Sequence, residues 1–192
     1  MKKQRILVID NYDSFVYNIV HYLKELDYTV EVVRNDQFEL SVLELYDRIV
    51  LSPGPGIPSE AGKLMEAIAY LKTLDNPIPV LGVCLGHQAI AESFGDQLIN
   101  LSEVYHGLSS SIKVDSSQPI YRGLGPQIEV GRYHSWVVAG SKNTGLIVSA
   151  TDEHGTVMSF SHESLPFTGV QYHPESVLTP DGYQLLTNWI DS

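Results

Sequence analysis

Residues 5 to 33 read as strand, helix, strand. The β-branched run RILVID is followed by SFVYNIVHYLKEL, in which Phe15, Ile19, Tyr22, Leu23 and Leu26 recur along one helical stripe, and then by TVEVV. Two apolar strands joined by a crossover helix are the unit from which parallel sheets are wound, so this opening commits the chain to an α/β layout. DRIVLS and IPVLGV continue the series as third and fourth strands, with a helix expected between them from about Ser59 to Leu74. Ser59 can cap that helix and Glu60 suits its first turn. Beyond residue 108 the pattern changes: SSSIKV, QIEVGRYH, GLIVSAT, TVMSFSH and FTGVQYH are strand-like with no long helix between them, so antiparallel strands are expected to extend the sheet. A last helix, GYQLLTNWI, follows. The expected fold is α/β, one domain over residues 1–192, with a central mixed but mostly parallel sheet flanked by helices. The length suits a single core, and no repeat or linker divides it.

The single cysteine, Cys84, stands where the fourth strand gives way to a helix, in Gly82-Val83-Cys84-Leu85-Gly86. That spacing is the nucleophile elbow, a sharp turn that lifts a reactive side chain above the sheet. In so tight a turn the positions two before and two after the nucleophile are crowded, and glycine is the residue that fits. A helix beginning near Leu85 aims unpaired N–H groups at the sulfur. Such a placement favours thiolate and can lower a thiol pKa from about 8.5 toward roughly 3.5 to 7.5. One cysteine forms no intrachain disulfide, which fits a reducing cytoplasm and leaves a buried thiol or a nucleophile as the alternatives. The elbow spacing favours the nucleophile.

A nucleophilic cysteine needs a base, and there are seven histidines. His173 stands out in VQYHPES: it ends a strand-like run, Pro174 biases it toward extended geometry, and Glu175 at i+2 then projects to the same side and can orient the imidazole. Acyl transfer also needs donors for an oxyanion. LSPGPGIPSE follows the third strand, where parallel sheets place their ligand crevice, and its glycines let backbone approach a substrate. Gly56 N–H and Leu85 N–H are the expected pair. PGPG is neither a Walker A loop nor a dinucleotide fingerprint, so no phosphate cradle is implied. CLGH has ligand-like spacing, but a metal held by Cys84, His87, His173 and Glu175 would quench the nucleophile, and no second cysteine suggests a zinc site. No metal is expected.

Twelve Lys and Arg against 23 Asp and Glu give a formal charge of −11, which opposes binding to nucleic acid phosphates or anionic lipid. No apolar stretch reaches membrane-spanning length, and the basic start MKKQRILVID has too short an apolar run for a signal segment. No nucleic acid or membrane partner is expected, and the cytoplasm is the expected location.

LSPGPGIPSEAG, GVCLGHQAIAESFG and GVQYHPES together resemble the three signatures of class I glutamine amidotransferase domains, and the resemblance spans nearly the whole chain. IDNYDSFVYN, VYHGLSSSI, GRYHSWVV and HPESVLTPDGYQLLTNW are similar to its chorismate-using branch: first the glutaminase subunits of anthranilate synthase, next those of aminodeoxychorismate synthase. The resemblance implies Cys84 as nucleophile on the side-chain amide of L-glutamine, His173 as acid/base and Glu175 as its partner. It implies glutamine contacts from Gly54, Pro55, Gly56, Leu85, Gln88, Ser135 and Trp136. It further implies that the partner and ammonia acceptor is a chorismate-utilising synthase subunit, with no cofactor in this chain and magnesium on the partner. Two positions depart from the family pattern. Trp136 stands where leucine is usual, and Val114-Asp115 where a histidine often precedes the aspartate. Other readings are a stand-alone γ-glutamyl cysteine hydrolase, needing no partner, and a non-catalytic interaction module, against which the intact Cys84, His173 and Glu175 speak.

Overall fold

The computed structural model describes residues 4–102 and 105–192; Val104, at the head of VYHGLSSSI, lies outside the described residues. In chain order the elements are β1 (Arg5–Asp10), α1 (Val16–Glu25), β2 (Thr29–Arg34), β3 (Arg48–Leu51), α2 (Leu64–Leu71), β4 (Val80–Val83), α3 (Leu85–Ser93), β5 (Leu98–Asn100), β6 (Leu108–Val114), β7 (Gln127–Arg132), β8 (Trp136–Val138), β9 (Leu146–Thr151), β10 (Val157–His162), β11 (Phe167–Val170) and α4 (Gly182–Ile190). Nine strands form one sheet in the order β2-β1-β3-β4-β11-β10-β9-β6-β7, and β5 pairs with β8 apart from it. β2, β1, β3, β4 and β11 run parallel, while β10, β9, β6 and β7 alternate antiparallel beyond them. This is the expected single α/β domain with a mixed sheet.

Alternation along the strands builds two cores. Ile6, Val8, Val50, Leu81 and Val83 face one way and pack with Val16, Ile19, Val20 and Leu23 of α1 and with Leu185, Leu186 and Trp189 of α4. Leu7, Ile9, Ile49, Leu51 and Val80 face the other way, onto α2 and α3. The buried stripe of α1 is therefore Val16, Ile19, Val20 and Leu23. Phe15, Tyr22 and Leu26 are only half-buried, and Phe15 precedes the helix.

The helix expected from Ser59 to Leu74 is shorter. Residues 58 to 60 make a single 3-10 turn, and α2 starts only at Leu64, so Ser59 caps nothing. Gly62 is the reason. It sits at φ +54, its missing Cβ leaves room for Asn35, and Lys63 N donates to Asn35 O at 2.8 Å. A left-handed residue cannot continue an α-helix, so helical winding begins beyond it.

β11 is also shorter than FTGVQYH, ending at Val170, but its placement decides the site. It lies parallel to β4 with Val170 opposite Val83. The chain leaving β11 and the chain leaving β4 therefore emerge side by side at one carboxyl edge, joined by β3 and β1 on the other flank. There Asn11 N donates to Ser52 Oγ and Asn11 Nδ2 to Ser52 O, both at 2.8 Å, tying the loops after β1 and β3 together.

Candidate active site

Cys84 occupies the turn between β4 and α3 at φ +50, ψ −99, a backbone conformation that costs a non-glycine residue about 1–3 kcal/mol and persists where surrounding structure enforces it. The enforcement is visible: Cys84 N donates to Val170 O at 2.9 Å, and Cys84 O accepts from Gln88 N at 3.0 Å in the first turn of α3. The flanking glycines are required for two different contacts. A Cβ on Gly82 would lie 2.5 Å from the backbone of Gly86, closing the elbow on itself, whereas one on Gly86 would collide with Leu51 O of β3. One glycine makes the turn and the other lets α3 lie against the sheet.

His173 Nδ1 and Glu175 Oε1 are 2.7 Å apart, both side chains almost wholly buried. The pair does not meet by extended alternation. His173 to Ser176 is a turn, with Pro174 at its second position and Ser176 N donating to His173 O at 3.1 Å. Proline at that position favours a β-turn, and the turn swings the carboxylate back under the ring. His173 is fixed further by its N–H to Gly131 O at 3.0 Å and by Thr179 Oγ1, which donates to His173 O at 2.6 Å. Tyr133 packs edge-on against the imidazole with centroids 4.8 Å apart, and Phe15 does so at 5.9 Å.

His173 Nε2 is buried and outside hydrogen-bond geometry to any described group; the interaction it keeps is with the Cys84 sulfur. Burial by itself pushes the imidazole pKa down, but the neighbouring Cys84 sulfur, together with the hydrogen bond and charge of Glu175, outweighs it and raises the pKa to about 11. His173 therefore carries its proton at neutral pH, beside the sulfur.

Cys84 and His173 share a cleft of about 540 Å³ with Gly54, Pro55, Phe15 and Tyr133. Of the other sequence-predicted contacts, Leu85 is buried at the start of α3, its Cδ2 only 2.8 Å from where a Gly54 Cβ would sit. Gln88 is buried beneath the site and donates Nε2 to Trp136 O at 2.9 Å. Gly56 stands exposed at φ +75, next to Pro55 but not among the residues that line this cleft, and Ser135 is half-buried. Trp136, in β8 opposite Asn100, turns its side chain to a separate surface cleft with Ile57, Glu92 and Gln97. The indole thus lies outside the cleft of Cys84. Val114 and Asp115 are remote, at the end of β6, where Asp115 Oδ1 accepts from Ser117 N and Oγ.

The sequence reading missed Gln171, whose Nε2 lies 3.6 Å from Cys84 Sγ, and the aromatic walls Phe15 and Tyr133. It also missed a buried chain behind them: Arg132 bonds Asp152 at 2.9 Å and donates Nε to His134 Nε2 at 3.1 Å, and His134 Nδ1 donates to Trp136 O at 3.0 Å. His134 is neutral there, its pKa lowered to about 3 by burial and by Arg132. His87 faces Phe160 with centroids 4.5 Å apart, deep in the core and likewise held neutral by burial. Among the described residues no group of three or more His, Cys, Asp or Glu could hold a metal ion, and no helix is long and apolar enough to cross a membrane.

The family model for glutamine amidotransferase class-I matches residues 7–192. The chain is 42% identical over 193 residues to "Anthranilate synthase component 2" of Pseudomonas aeruginosa, covering 96% of this chain and 94% of that protein. It is 42% identical over 190 residues to "Aminodeoxychorismate/anthranilate synthase component 2" of Bacillus subtilis, covering 97% and 96%. To the "Bifunctional protein TrpGD" of Thermotoga maritima it is 40% identical over 193 residues, spanning 98% of this chain but 32% of that longer protein. A Thermoplasma acidophilum structure, provisionally described as that of a GMP synthase subunit, superposes with TM-score 0.89 at 28% identity, covering 100% of this chain and 94% of that one. A glutamine amidotransferase structure from Thermotoga maritima shares the fold, with TM-score 0.74 at 18% identity and 82% of its chain covered. With the elbow, the imidazole–carboxylate pair and these matches in agreement, the chain belongs to the class-I glutamine amidotransferases and is a glutamine amidotransferase enzyme.

Proposed function

We propose that this chain is the glutaminase subunit of an anthranilate synthase, with Cys84, His173 and Glu175 as its catalytic residues. The observation that carries the reading is the strained elbow of Cys84 facing a buried His173–Glu175 pair in one cleft. In the proposed reaction the Cys84 sulfur attacks the side-chain amide carbon of glutamine, and the tetrahedral oxyanion takes N–H bonds from Gly56 and Leu85. His173 gives its Nε2 proton to the amide nitrogen, ammonia leaves, and a γ-glutamyl thioester remains on Cys84. Water then gives a proton to the now neutral His173 and attacks the thioester, releasing glutamate and restoring sulfur and imidazolium. Glu175 keeps Nδ1 protonated and the ring aimed throughout. Gly54, Pro55, Gln88, Ser135 and the Trp136 backbone hold the substrate. The sum is glutamine plus water giving glutamate plus ammonia. These steps use side chains, backbone and water, and magnesium is assigned to the synthase.

The pathway rests on the relatives' names. Those from Pseudomonas aeruginosa and other organisms are called anthranilate synthase component 2, and the Bacillus subtilis relative carries the aminodeoxychorismate name as well. That second name makes aminodeoxychorismate synthase the alternative partner. The chain would work in the cytoplasm and release ammonia to a chorismate-utilising synthase. The test is glutamate release by this chain alone, with an anthranilate synthase component I, and with an aminodeoxychorismate synthase component I. Activation by the first supports the proposal. Activation by the second alone moves the chain to the other pathway, and equal rates in all three make it a stand-alone hydrolase.

A further inference from the structure

We infer that Gln171 is a positioning residue for this reaction: its amide donates an N–H to the Cys84 sulfur and joins the nucleophile to Gln88, the residue that would hold the substrate. The inference rests on the glutaminase reading for its kinetic consequence, but its geometry stands independently.

A single carbonyl orients the whole chain of amides. Amide oxygen and nitrogen are told apart by their partners, and a backbone C=O can only accept. Trp136 O takes Gln88 Nε2 at 2.9 Å and His134 Nδ1 at 3.0 Å, so Gln88 must present its NH2 group there. The same Nε2 lies 3.2 Å from Gln171, which must therefore offer its oxygen, Oε1. Gln171 Nε2 is then directed to the remaining neighbour, Cys84 Sγ, at 3.6 Å. Each amide is fixed by the one before it. Gln171 is fully buried, with its backbone N–H held by Met158 O at 2.9 Å, so the side chain has little freedom to do otherwise.

Two consequences follow. An N–H aimed at sulfur stabilises the negative charge that develops there when the thioester breaks. Gln88, with both N–H bonds committed to Trp136 O and Gln171 Oε1, can offer a substrate only its Oε1, an acceptor suited to the α-ammonium group of glutamine. Gln171 thus touches kcat through the sulfur and KM through Gln88.

Two substitutions separate these effects. Gln171→Met removes donor and acceptor while keeping length; Gln171→Glu keeps an acceptor for Gln88 and removes the donor to sulfur. Both are assayed in complex with the synthase, where synthesis from ammonium salts reports an intact fold and assembly. The inference expects kcat with glutamine to fall 10- to 100-fold in both, KM to rise several-fold in Gln171→Met only, and alkylation of Cys84 by iodoacetamide at pH 7 to slow about tenfold in both. Either variant, intact by the ammonia assay but with wild-type kcat and alkylation rate, overturns it. In the wild-type chain the Gln171 side-chain amide resonances should shift when Cys84 is alkylated, and unmoved resonances contradict the contact. A wild-type complex that fails to hydrolyse glutamine sinks the glutaminase reading alone, since the alkylation and resonance results still test the Gln171–Cys84 bond.

Discussion

Single side chains decide whether this site works. A general acid/base is typically worth about 10² to 10⁴ in rate, so His173→Ala should reduce glutamine hydrolysis by that factor, whereas the exposed His154→Ala should leave it unchanged. Glu175→Gln should fall between, because the ring keeps a neighbour of the same size but loses the charge that helps hold its proton. The pKa of His173, followed by NMR titration, should then drop below about 11. Equal, small losses for all three substitutions would remove the site. Much of this was legible because it is local. Gly82-Val83-Cys84-Leu85-Gly86 specifies its own turn, and His173-Pro174-Glu175 places imidazole and carboxylate within one short stretch, although across a turn and not along a strand. Gln171 was not legible in the same way. Its partners Cys84 and Gln88 lie 87 and 83 residues away, and no spacing in a linear sequence signals a contact made by the pairing of β11 with β4.

Elements carry the site in place, and the junction of β4 with α3 is the most sensitive. Gly86→Ala would drive a Cβ into Leu51 O, so α3 would have to lift from β3; overpacking of this kind costs about 1–3 kcal/mol or more. Urea unfolding should show that loss, while Gly125→Ala, whose nearest atom would be Gln127 O at 3.8 Å, should change stability by less than about 0.5 kcal/mol. Similar midpoints for the two variants would show that the elbow tolerates a side chain. At this scale the strands were readable as continuous apolar runs, because RILVID, DRIVLS and IPVLGV are buried on both faces, and α1 was readable from its helical stripe. The start of α2 was not, since Gly62 acts through a tertiary approach to Asn35. Nor was the β5–β8 pair: at three residues each, LIN and WVV are too short to show a period.

Over the whole molecule, buried histidines shape the pH range of stability. His87 and His134 have folded pKa values of about 3, and an unfolded histidine titrates near 6.5. Below pH 6.5 the unfolded chain takes up protons that the folded chain refuses, so stability should fall with acidity by up to about 1.4 kcal/mol per pH unit for each, seen between about pH 6.5 and 5.5, above the range where carboxylates titrate. His173 acts with the opposite sign. Its raised pKa adds stability that is fully present below pH 6.5 and is lost as pH rises toward about 11. Unfolding free energies should therefore peak near pH 6.5, and a flat profile from pH 5.5 to 9 would contradict these burial assignments. In the proposed function a synthase receives the ammonia formed at Cys84, whose cleft lies at the carboxyl edge of the sheet. Cys84→Ser tests this directly, because serine keeps the elbow's shape but is a far weaker nucleophile toward an amide. In a complex reconstituted with the synthase, anthranilate formation is measured from glutamine and from ammonium salts. Loss of the glutamine-dependent reaction with the ammonia-dependent reaction retained is the predicted result; equal loss of both in a folded, assembled complex, or undiminished use of glutamine, would contradict the account.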